Sequence, residues 1–465
     1  MKKLLKTILI TFTATFLLCI LPCYAELLLV KNVNLIDVTD GTIHSKVEVL
    51  ISDGFIKDIS FAKKLETPPD TVVDASGTFL IPGLWDMHVH WYDERFLKLF
   101  IVNGVTGTRQ MLGKYQHYIW RKKQYDTTFI GPKTIVGSPI LDGKPKYWEN
   151  SIEISDAKYG RRIVQQYKTR GADFIKVYDN LDRASYFAIA DESKKLGLPF
   201  VGHVPFSVSL LEASNAGQKS MEHLKKMVSG TSDSYNRIVE EYRDQEKTSS
   251  IELEMLNKVL AGYGGDQAKL LYSAFVKNNT WQSPTLALSR NMAYLRERSE
   301  IDKERLKYLT TGITSHWHAN RNPDTVDNTD EDWIFYRKIF KHKQRIVGDM
   351  YRAGVKIIAG TDVLNPFCFP GFSLHDELEL LVEAGLPPLA ALQAATVNAA
   401  EFLGKTDKYG TIGVGKIADL VLLEDNPLEN ISNTTKIAGV ILNGVFFNKQ
   451  DLSEMLKKLK QVSGN

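Results

Sequence analysis

The stretch Ile81-Pro82-Gly83-Leu84-Trp85-Asp86-Met87-His88-Val89-His90 decides the fold of this chain. Its apolar residues predict a buried strand over Leu84–Val89. Two histidines two positions apart on a strand point to the same face, so both imidazoles can reach one metal ion. A His-x-His pair alone is weak evidence for a metal site. Behind Pro82-Gly83 and an apolar strand, it indicates a metal site at the carboxyl end of a barrel strand.

Short apolar runs alternate with amphipathic helical stretches through the middle of the chain. This alternation predicts parallel strands joined by helices, and with Leu84–Val89 the count of strands reaches eight. The fold class is therefore α/β, with a (β/α)8 TIM barrel over residues 84–408. The other candidate strands are Gly104–Thr108, Thr134–Gly137, Phe174–Tyr178, Phe200–Val204, Ser220–His223, Ser283–Leu286 and Val355–Gly360.

Both ends of the chain are rich in β signals. Short strand-like runs are Leu27–Val30, Val47–Ile51 and Val72–Val73 before the barrel, and Asp419–Leu423 and Ala438–Asn443 after it. The pairs Asp40-Gly41, Asp53-Gly54 and Asn443-Gly444 are typical of tight turns. We expect one small β-sandwich domain assembled from both termini, over residues 26–83 and 409–450.

The segment from Lys225 to Gln344 is longer and more charged than a simple barrel connection needs. Two interpretations stay open at this point. In the first, part of the segment 225–344 is an insertion that forms a lid over the barrel mouth. In the second, the segment is a long decorated βα unit with no gating role.

Residues 1–25 differ in composition from the rest of the chain. Three lysines precede an uncharged apolar run, Thr7–Pro22, and Ala25 offers a small residue at a cleavage point. The pattern predicts a secretory signal peptide, hence an exported protein, periplasmic or secreted, with no stable membrane insertion after cleavage. An uncleaved N-terminal anchor is the alternative.

The charge balance is 58 Lys+Arg against 55 Asp+Glu. This near-cancellation gives no electrostatic reason to expect nucleic acid as a partner. A small-molecule substrate is the expected partner, and the sequence does not indicate an oligomeric state.

Four more residues that suit a metal site fall at the ends of predicted strands: Lys176, His203, His223 and Asp362. Each alone has a plain structural explanation, since a lone strand-end histidine is more often structural and a lone lysine is usually solvated. Together with His88 and His90 they make six such residues at predicted strand ends on the same edge of the barrel, which is hard to explain by coincidence.

These motifs resemble the amidohydrolase superfamily, in particular its binuclear group of imidazolonepropionase-like proteins and Xaa-Pro dipeptidases. The resemblance runs from about Leu27 to Phe447. It implies two divalent metal ions, with zinc as the default. By the family pattern the ligands are His88 and His90 for the first metal, N6-carboxylated Lys176 as the bridge, His203 and His223 for the second metal, and Asp362 for the first metal and for proton transfer.

The chemistry of these residues supports the same function. Two cations that share a hydroxide lower its pKa and create a nucleophile, and Asp362 can pass the hydroxide proton to a leaving amine. We expect a metal-dependent hydrolase that uses a metal-bridging hydroxide to cleave an amide C–N bond of a dipeptide or N-acyl amino acid.

Other functions stay open. The same site suits lactone, ester or phosphotriester hydrolysis. Deamination is expected less, because that branch of the family typically uses one metal without the bridging lysine. A metal-free binding or structural relative would have lost ligands, and none is missing.

The substrate contacts are the least defined part of the prediction. Tyr178, two residues past Lys176, either donates a hydrogen bond to a substrate carbonyl or packs in the core. His375 either lines the pocket or packs behind it, and Arg290 is a guess for a substrate carboxylate. The second strand also departs from the family pattern, since Gln110 stands where an aspartate usually follows the arginine.

Overall fold

The computed structural model of the protein describes residues 27–60, 68–124, 129–245 and 248–463. The predicted signal peptide, residues 1–25, lies outside the described residues. The strands are β1 (Leu28–Ile36), β2 (Ile43–Ser52), β3 (Phe55–Ser60), β4 (Thr71–Asp74), β5 (Phe79–Pro82), β6 (Leu84–Val89), β7 (Val105–Gln110), β8 (Lys133–Asp142), β9 (Ile152–Glu153), β10 (Phe174–Val177), β11 (Phe200–Gly202), β12 (Ser220–Glu222), β13 (Trp281–Ser283), β14 (Leu420–Leu423), β15 (Ile437–Leu442) and β16 (Val445–Asn448).

The helices connect and cover these strands. They are α1 (Arg95–Val102), α2 (Tyr115–Lys123), α3 (Ala157–Thr169), α4 (Arg183–Lys195), α5 (Leu210–Asn215), α6 (Met227–Gly230), α7 (Tyr235–Glu241), α8 (Ser249–Ala261), α9 (Asp266–Lys277), α10 (Leu286–Ala293), α11 (Leu295–Ile301), α12 (Lys303–Leu306), α13 (Thr311–Thr314), α14 (Asp330–Arg352), α15 (Phe372–Glu383), α16 (Pro388–Ala394), α17 (Val397–Leu403) and α18 (Lys449–Ser463), with a short 3-10 helix at Ile431–Thr435. Among the described residues, none of these helices has the length and hydropathy needed to cross a bilayer.

The barrel forms from parallel strands in the order β6-β7-β8-β10-β11-β12-β13. The eighth position is residues 357–363, which bridge in parallel to β13 through Ile357 and to β6 through Val363. The predicted α/β barrel is therefore confirmed. One predicted strand was misplaced, because the seventh strand is Trp281–Ser283 and not Ser283–Leu286. Thr285 has a left-handed backbone, with φ of 47°, and α10 begins at the next residue.

The strands of both chain ends form a second sheet, in the order β16-β15-β14-β5-β1-β2-β3 with β4 beside β1. The expected sandwich is thus one continuous mixed sheet. Its strand β1 bends at Asn32, which has φ of 61°; the first half pairs with β4 and the second half with β5. The apolar residues of these strands enclose a core of their own, separate from that of the barrel.

The predicted turns of this sheet are present. Asp53-Gly54 joins β2 to β3 and Asn443-Gly444 joins β15 to β16, and all four residues have positive φ. Such paired left-handed residues match the twist of a two-residue hairpin, which is why Asn-Gly and Asp-Gly favour it.

The segment 225–344 holds β13 as well as helices α6 to α13 and part of α14. The seventh barrel strand lies within it and divides it into two parts. Part of it reaches the barrel mouth, where Trp317 packs on Phe367 and Phe369 in the loop that follows Asp362. The lid stays a prediction.

Candidate metal centre

The six residues predicted to hold metal all lie at the carboxyl ends of barrel strands. His88 is within β6 and His90 follows it, and Lys176 is within β10. His203 and His223 each come directly after a strand, and Asp362 lies near the end of the eighth strand position. The backbone brings the first and eighth positions together, since the Asp362 amide donates to the His88 carbonyl at 2.8 Å. The barrel therefore places the residues of the motif around one mouth.

Three of these side chains converge directly. His88 Nε2 lies 3.2 Å from His90 Nε2, and Asp362 Oδ1 lies 3.2 Å from the former and 3.0 Å from the latter. His223 Nδ1 is 3.7 Å from the other oxygen of Asp362. Ligand atoms of His88, His223 and Asp362 all lie within 4.8 Å of one another.

His88 is oriented by a buried ion pair that the sequence analysis did not assign. Its Nδ1 lies 2.8 Å from Glu222 Oε2, and Arg109 donates to both oxygens of Glu222 at 3.0 and 3.1 Å. Because the carboxylate accepts, Nδ1 carries the proton and Nε2 turns its lone pair to the mouth. Burial opposes the charge of Glu222, but Arg109 holds its pKa below the ordinary value.

The other two histidines have partners of their own. His203 Nδ1 lies 3.0 Å from Asp179 Oδ1, and Asp179 also forms an ion pair with Lys225. His223 Nδ1 lies 2.8 Å from the hydroxyl of Thr285. Metal-ligating histidines characteristically have such a hydrogen-bond partner, which fixes the tautomer and the ring orientation.

Lys176 differs from its neighbours because it has no such partner. Its side chain is 1% exposed, and Nζ forms no hydrogen bond within the part of the chain that the structure describes. Burial lowers the pKa of this amine to about 8. Gly202 makes room for it: a Cβ there would lie 3.0 Å from Lys176 Cδ, and the φ of 129° at this residue also favours glycine.

The charges of the centre suit a bound cation. Burial above all lowers the pKa values of His88, His203 and His223 well below the usual value, so the rings are neutral donors. Burial opposes ionisation of Asp362, yet its interactions with His223 and its hydrogen bond with His90 bring its pKa below the ordinary value.

The same donor set explains why the atoms crowd together. Two nitrogens bound to one zinc lie about 3.4 Å apart, given a Zn–N distance near 2.1 Å and a tetrahedral angle. The 3.2 Å between the two Nε2 atoms is close to this value. Neutral imidazoles, a carboxylate and an amine with no partner therefore fit a divalent metal site.

Tyr178 lies beside the centre. Its ring stacks on His203 with centroids 4.0 Å apart, and its hydroxyl accepts from Trp148 Nε1 at 2.9 Å. Burial raises the pKa of the phenol, so the hydroxyl keeps its proton. The ring is packed, and a hydrogen bond from the hydroxyl to a substrate carbonyl stays a prediction.

His375 does not line the site, contrary to one expectation. Nε2 lies 3.0 Å from the carbonyl of Asn103, just before β7, and Nδ1 lies 2.9 Å from the hydroxyl of Thr434. The ring thus joins α15 to the start of a barrel strand and to the C-terminal part of the chain. Arg290 is likewise engaged elsewhere, since it donates to Asp376 at 3.0 Å.

Sequence reasoning missed the residues behind the ligands: Glu222, Arg109, Asp179 and Thr285. A signal did exist for the first two, because a glutamate and an arginine within apolar strands must be buried and therefore paired. The pairing itself joins residues 113 positions apart, which no local pattern gives.

Comparison with known proteins assigns the chain to one enzyme family. The model of the amidohydrolase family matches residues 79–446. Ochratoxinase from Aspergillus niger is 24% identical over 403 residues, which cover 76% of this chain and 71% of that protein.

Two solved structures share the fold. The structure of a bottromycin amidohydrolase superposes with a TM-score of 0.75 at 24% identity, over 94% of this chain and 90% of that one. A Xaa-Pro dipeptidase crystallised with methionine in its active site gives a TM-score of 0.65 at 20% identity, over 91% of this chain and 100% of that one.

Proposed function

This chain belongs to the amidohydrolase family of metal-dependent hydrolases, and we propose that it cleaves an amide C–N bond at a centre of two divalent ions. The observation that carries the proposal is the buried amine of Lys176, which has no hydrogen-bond partner among the described residues and interacts electrostatically with Asp362. A buried polar group without a partner costs stability, so its retention indicates a chemical role.

Carboxylation of Lys176 would give it that role. A neutral amine attacks carbon dioxide, an N–C bond forms, one proton leaves, and the product is a carbamate with two oxygens. Because the pKa of Lys176 is near 8, a useful fraction of the amine is neutral at physiological pH. The carbamate would bridge two ions, with His88, His90 and Asp362 holding the first.

His203 and His223 would hold the second ion, and zinc is the metal we propose for both positions. Bound divalent ions supply a hydroxide nucleophile at neutral pH and polarise the carbonyl under attack. Asp362 would take up the proton released in the attack and deliver it to the leaving amine. The Tyr178 hydroxyl, which accepts from Trp148, would donate its own proton to the substrate carbonyl.

We propose a dipeptide or an N-acyl amino acid as the substrate. Two similar proteins support this choice by their names, since one is a Xaa-Pro dipeptidase and another is an amidohydrolase.

The test is a substrate screen with zinc-loaded enzyme over residues 26–465. We expect hydrolysis of members of a panel of dipeptides and N-acyl amino acids, and none by the Lys176→Met variant prepared in the same way. Hydrolysis of lactones or phosphotriesters with none of amides would replace the proposal by the ester-type alternative. Release of ammonia from aminopurines would replace it by deamination.

We also propose that the protein is exported, on the pattern of residues 1–25. N-terminal sequencing of protein recovered outside the cytoplasm should begin near Glu26. A chain that still begins at Met1 would contradict cleavage.

A further inference from the structure

A second feature of the mouth is a pair of lysines beside the His203 and His223 half of the centre. Lys225 comes two residues after His223, and Lys343 lies in the middle of α14. The helix α14 packs against α6, which begins two residues after Lys225, and the charge of Lys225 acts on Lys343.

Lys343 is a half-buried cation without an acidic partner. Its Nζ donates to the hydroxyl of Ser289 at 3.1 Å, and no carboxylate lies within ion-pair distance among the residues that the structure describes. Burial, and then the charge of Lys225, lower the pKa of its ammonium to about 8. Lysine is rarely buried unless it is paired, so this charge lacks a counter-ion.

A chain of contacts links Lys343 to the metal centre. Its partner Ser289 lies one turn along α10 from Thr285, whose hydroxyl contacts His223 Nδ1 at 2.8 Å. One helical turn rises about 5.4 Å. Lys343 is thus connected to His223 through Ser289, the first turn of α10 and Thr285.

Lys225 approaches the same region from the other side. It pairs with Asp179, the carboxylate behind His203, and its Nζ lies 5.9 Å from the centre of the Tyr178 ring and 5.5 Å from that of Phe206. Asp179 is shared between His203 and Lys225.

We propose that Lys343, with Lys225 beside it, binds the free carboxylate of the substrate and so makes the enzyme selective for amides of α-amino acids. This inference rests on the proposed amide hydrolysis and names the group that the site recognises. In an N-acyl amino acid, the carboxylate carbon lies within about 4 Å of the carbonyl carbon that is attacked. A carboxylate at this distance would supply the missing counter-ion of Lys343 as the amide reaches the centre.

The neighbouring aromatic side chains fit the rest of such a substrate. Tyr147 and Trp148, in the loop after β8, are about half exposed and pack on each other with ring centroids 5.0 Å apart. Tyr147 also approaches Tyr178, at 6.1 Å between centroids. They offer an apolar wall beside the charged groups.

The experiment compares N-acetyl-L-leucine with its C-terminal N-methylamide, which lacks the charge, by following release of acetate from the zinc-loaded full mature chain. Wild-type enzyme should have a higher kcat/KM for N-acetyl-L-leucine than for the N-methylamide. In Lys343→Met, kcat/KM for N-acetyl-L-leucine should fall about 30-fold, chiefly through KM, because a charge-assisted contact is lost. The value for the N-methylamide should change by less than about threefold.

Two further variants serve as controls. Lys343→Arg keeps the charge and should recover most of the selectivity. Lys338→Met removes an exposed lysine from the same helix and should leave both substrates unaffected. If Lys343→Met slows both compounds equally, or neither, the inference is overturned and the lysine is structural.

Failure of the proposed function would be distinguishable. If wild-type enzyme hydrolyses neither compound, calorimetric binding of N-acetyl-L-leucine decides the inference by itself. Binding that weakens in Lys343→Met supports carboxylate recognition without hydrolysis of this compound. Equal binding by both enzymes, or no binding, overturns it.

Discussion

Two buried lysines of the barrel, Lys133 and Lys176, show how differently the same residue type is used at the two ends of the fold. Each is 1% exposed. Lys133 opens β8, and its Nζ contacts Asp419 at 3.0 Å and the amide oxygen of Asn443 at 2.5 Å. Lys176 lies near the end of β10, and its Nζ has no hydrogen-bond partner among the described residues.

The comparison separates a structural charge from a reactive one. The contacts of Lys133 offset the cost of removing an ammonium from water, and they join the barrel to β15 and the strand that precedes it. Lys176 lacks that compensation, so the folded protein accepts a cost there. Such a cost is expected where a group is kept for chemistry.

Lys176→Met is the strongest test of this difference. Without the bridging ligand, kcat/KM should fall by at least about 10⁴-fold, because both the nucleophile and its activation depend on the metal centre. The melting temperature of the metal-free variant should equal or exceed that of the metal-free parent, since an unpaired buried amine has been removed. Substantial residual activity would mean that Lys176, like Lys133, is a structural lysine.

Asp362→Asn tests the proton transfer next to Lys176. The amide cannot accept a proton, so kcat should fall about 10³-fold with a much smaller change in KM. Steady-state kinetics with the best amide substrate measures this. An equal fall in substrate affinity would place Asp362 in binding only.

Lys133→Met is the counterpart of the first variant at the other end of the barrel. It leaves Asp419 buried without its cation, and we expect the free energy of unfolding to fall by about 3–5 kcal/mol. Chemical denaturation measures this, while kcat/KM below the melting range should stay close to that of the parent. Loss of activity in a folded Lys133→Met variant would contradict the assignment of Lys133 as structural and Lys176 as reactive.

Glu222→Gln sharpens the account of the first metal position. The substitution keeps a hydrogen-bond acceptor for His88 but removes the negative charge that faces Arg109. Metal affinity should fall about 10–100-fold, as for other partners of metal-bound histidines. Chelator competition measures the affinity, and Gln165→Ala, on the surface of α3, is the control expected to leave it unchanged.

His375→Asn gives the smallest expected effect and tests a buried group that is paired. The pKa of His375 falls to about 4, from burial above all, against an ordinary value of 6.5. The unfolded chain therefore binds this proton between pH 6.5 and 4 and the folded chain does not, so stability is lost as the pH falls through that window. The variant should remove about 1 kcal/mol per pH unit of that dependence.

Denaturation at several pH values between 7 and 4 measures the slope. His117 and His342 carry similarly lowered pKa values, so part of the dependence should persist. Activity above pH 7 should be unaffected. A loss of activity above pH 7 would indicate that His375 takes part in the site.

The strand pattern and the metal motif could be predicted from sequence because both are local. The two imidazoles of a His-x-His pair at a strand end point to the same face, and parallel strands bring their carboxyl ends to one edge. The barrel and the convergence of His88, His90 and Asp362 follow from that alone.

What sequence could not give depends on pairing between distant residues. The Glu222 carboxylate reaches His88 across the barrel, and the two are 134 positions apart. His375 reads as a site residue because it follows Asp362 along the chain, yet α15 turns its ring toward Asn103 and Thr434.

The most direct test of the central claim measures the metal content and the state of Lys176 together. We would load the enzyme with zinc and 13C-labelled bicarbonate, count the zinc by elemental analysis and record a 13C NMR spectrum. The account predicts about two ions per chain and one carbamate resonance, with the resonance absent and the zinc content reduced in Lys176→Met. Two ions without a carbamate, or a zinc content that the substitution leaves unchanged, would contradict it.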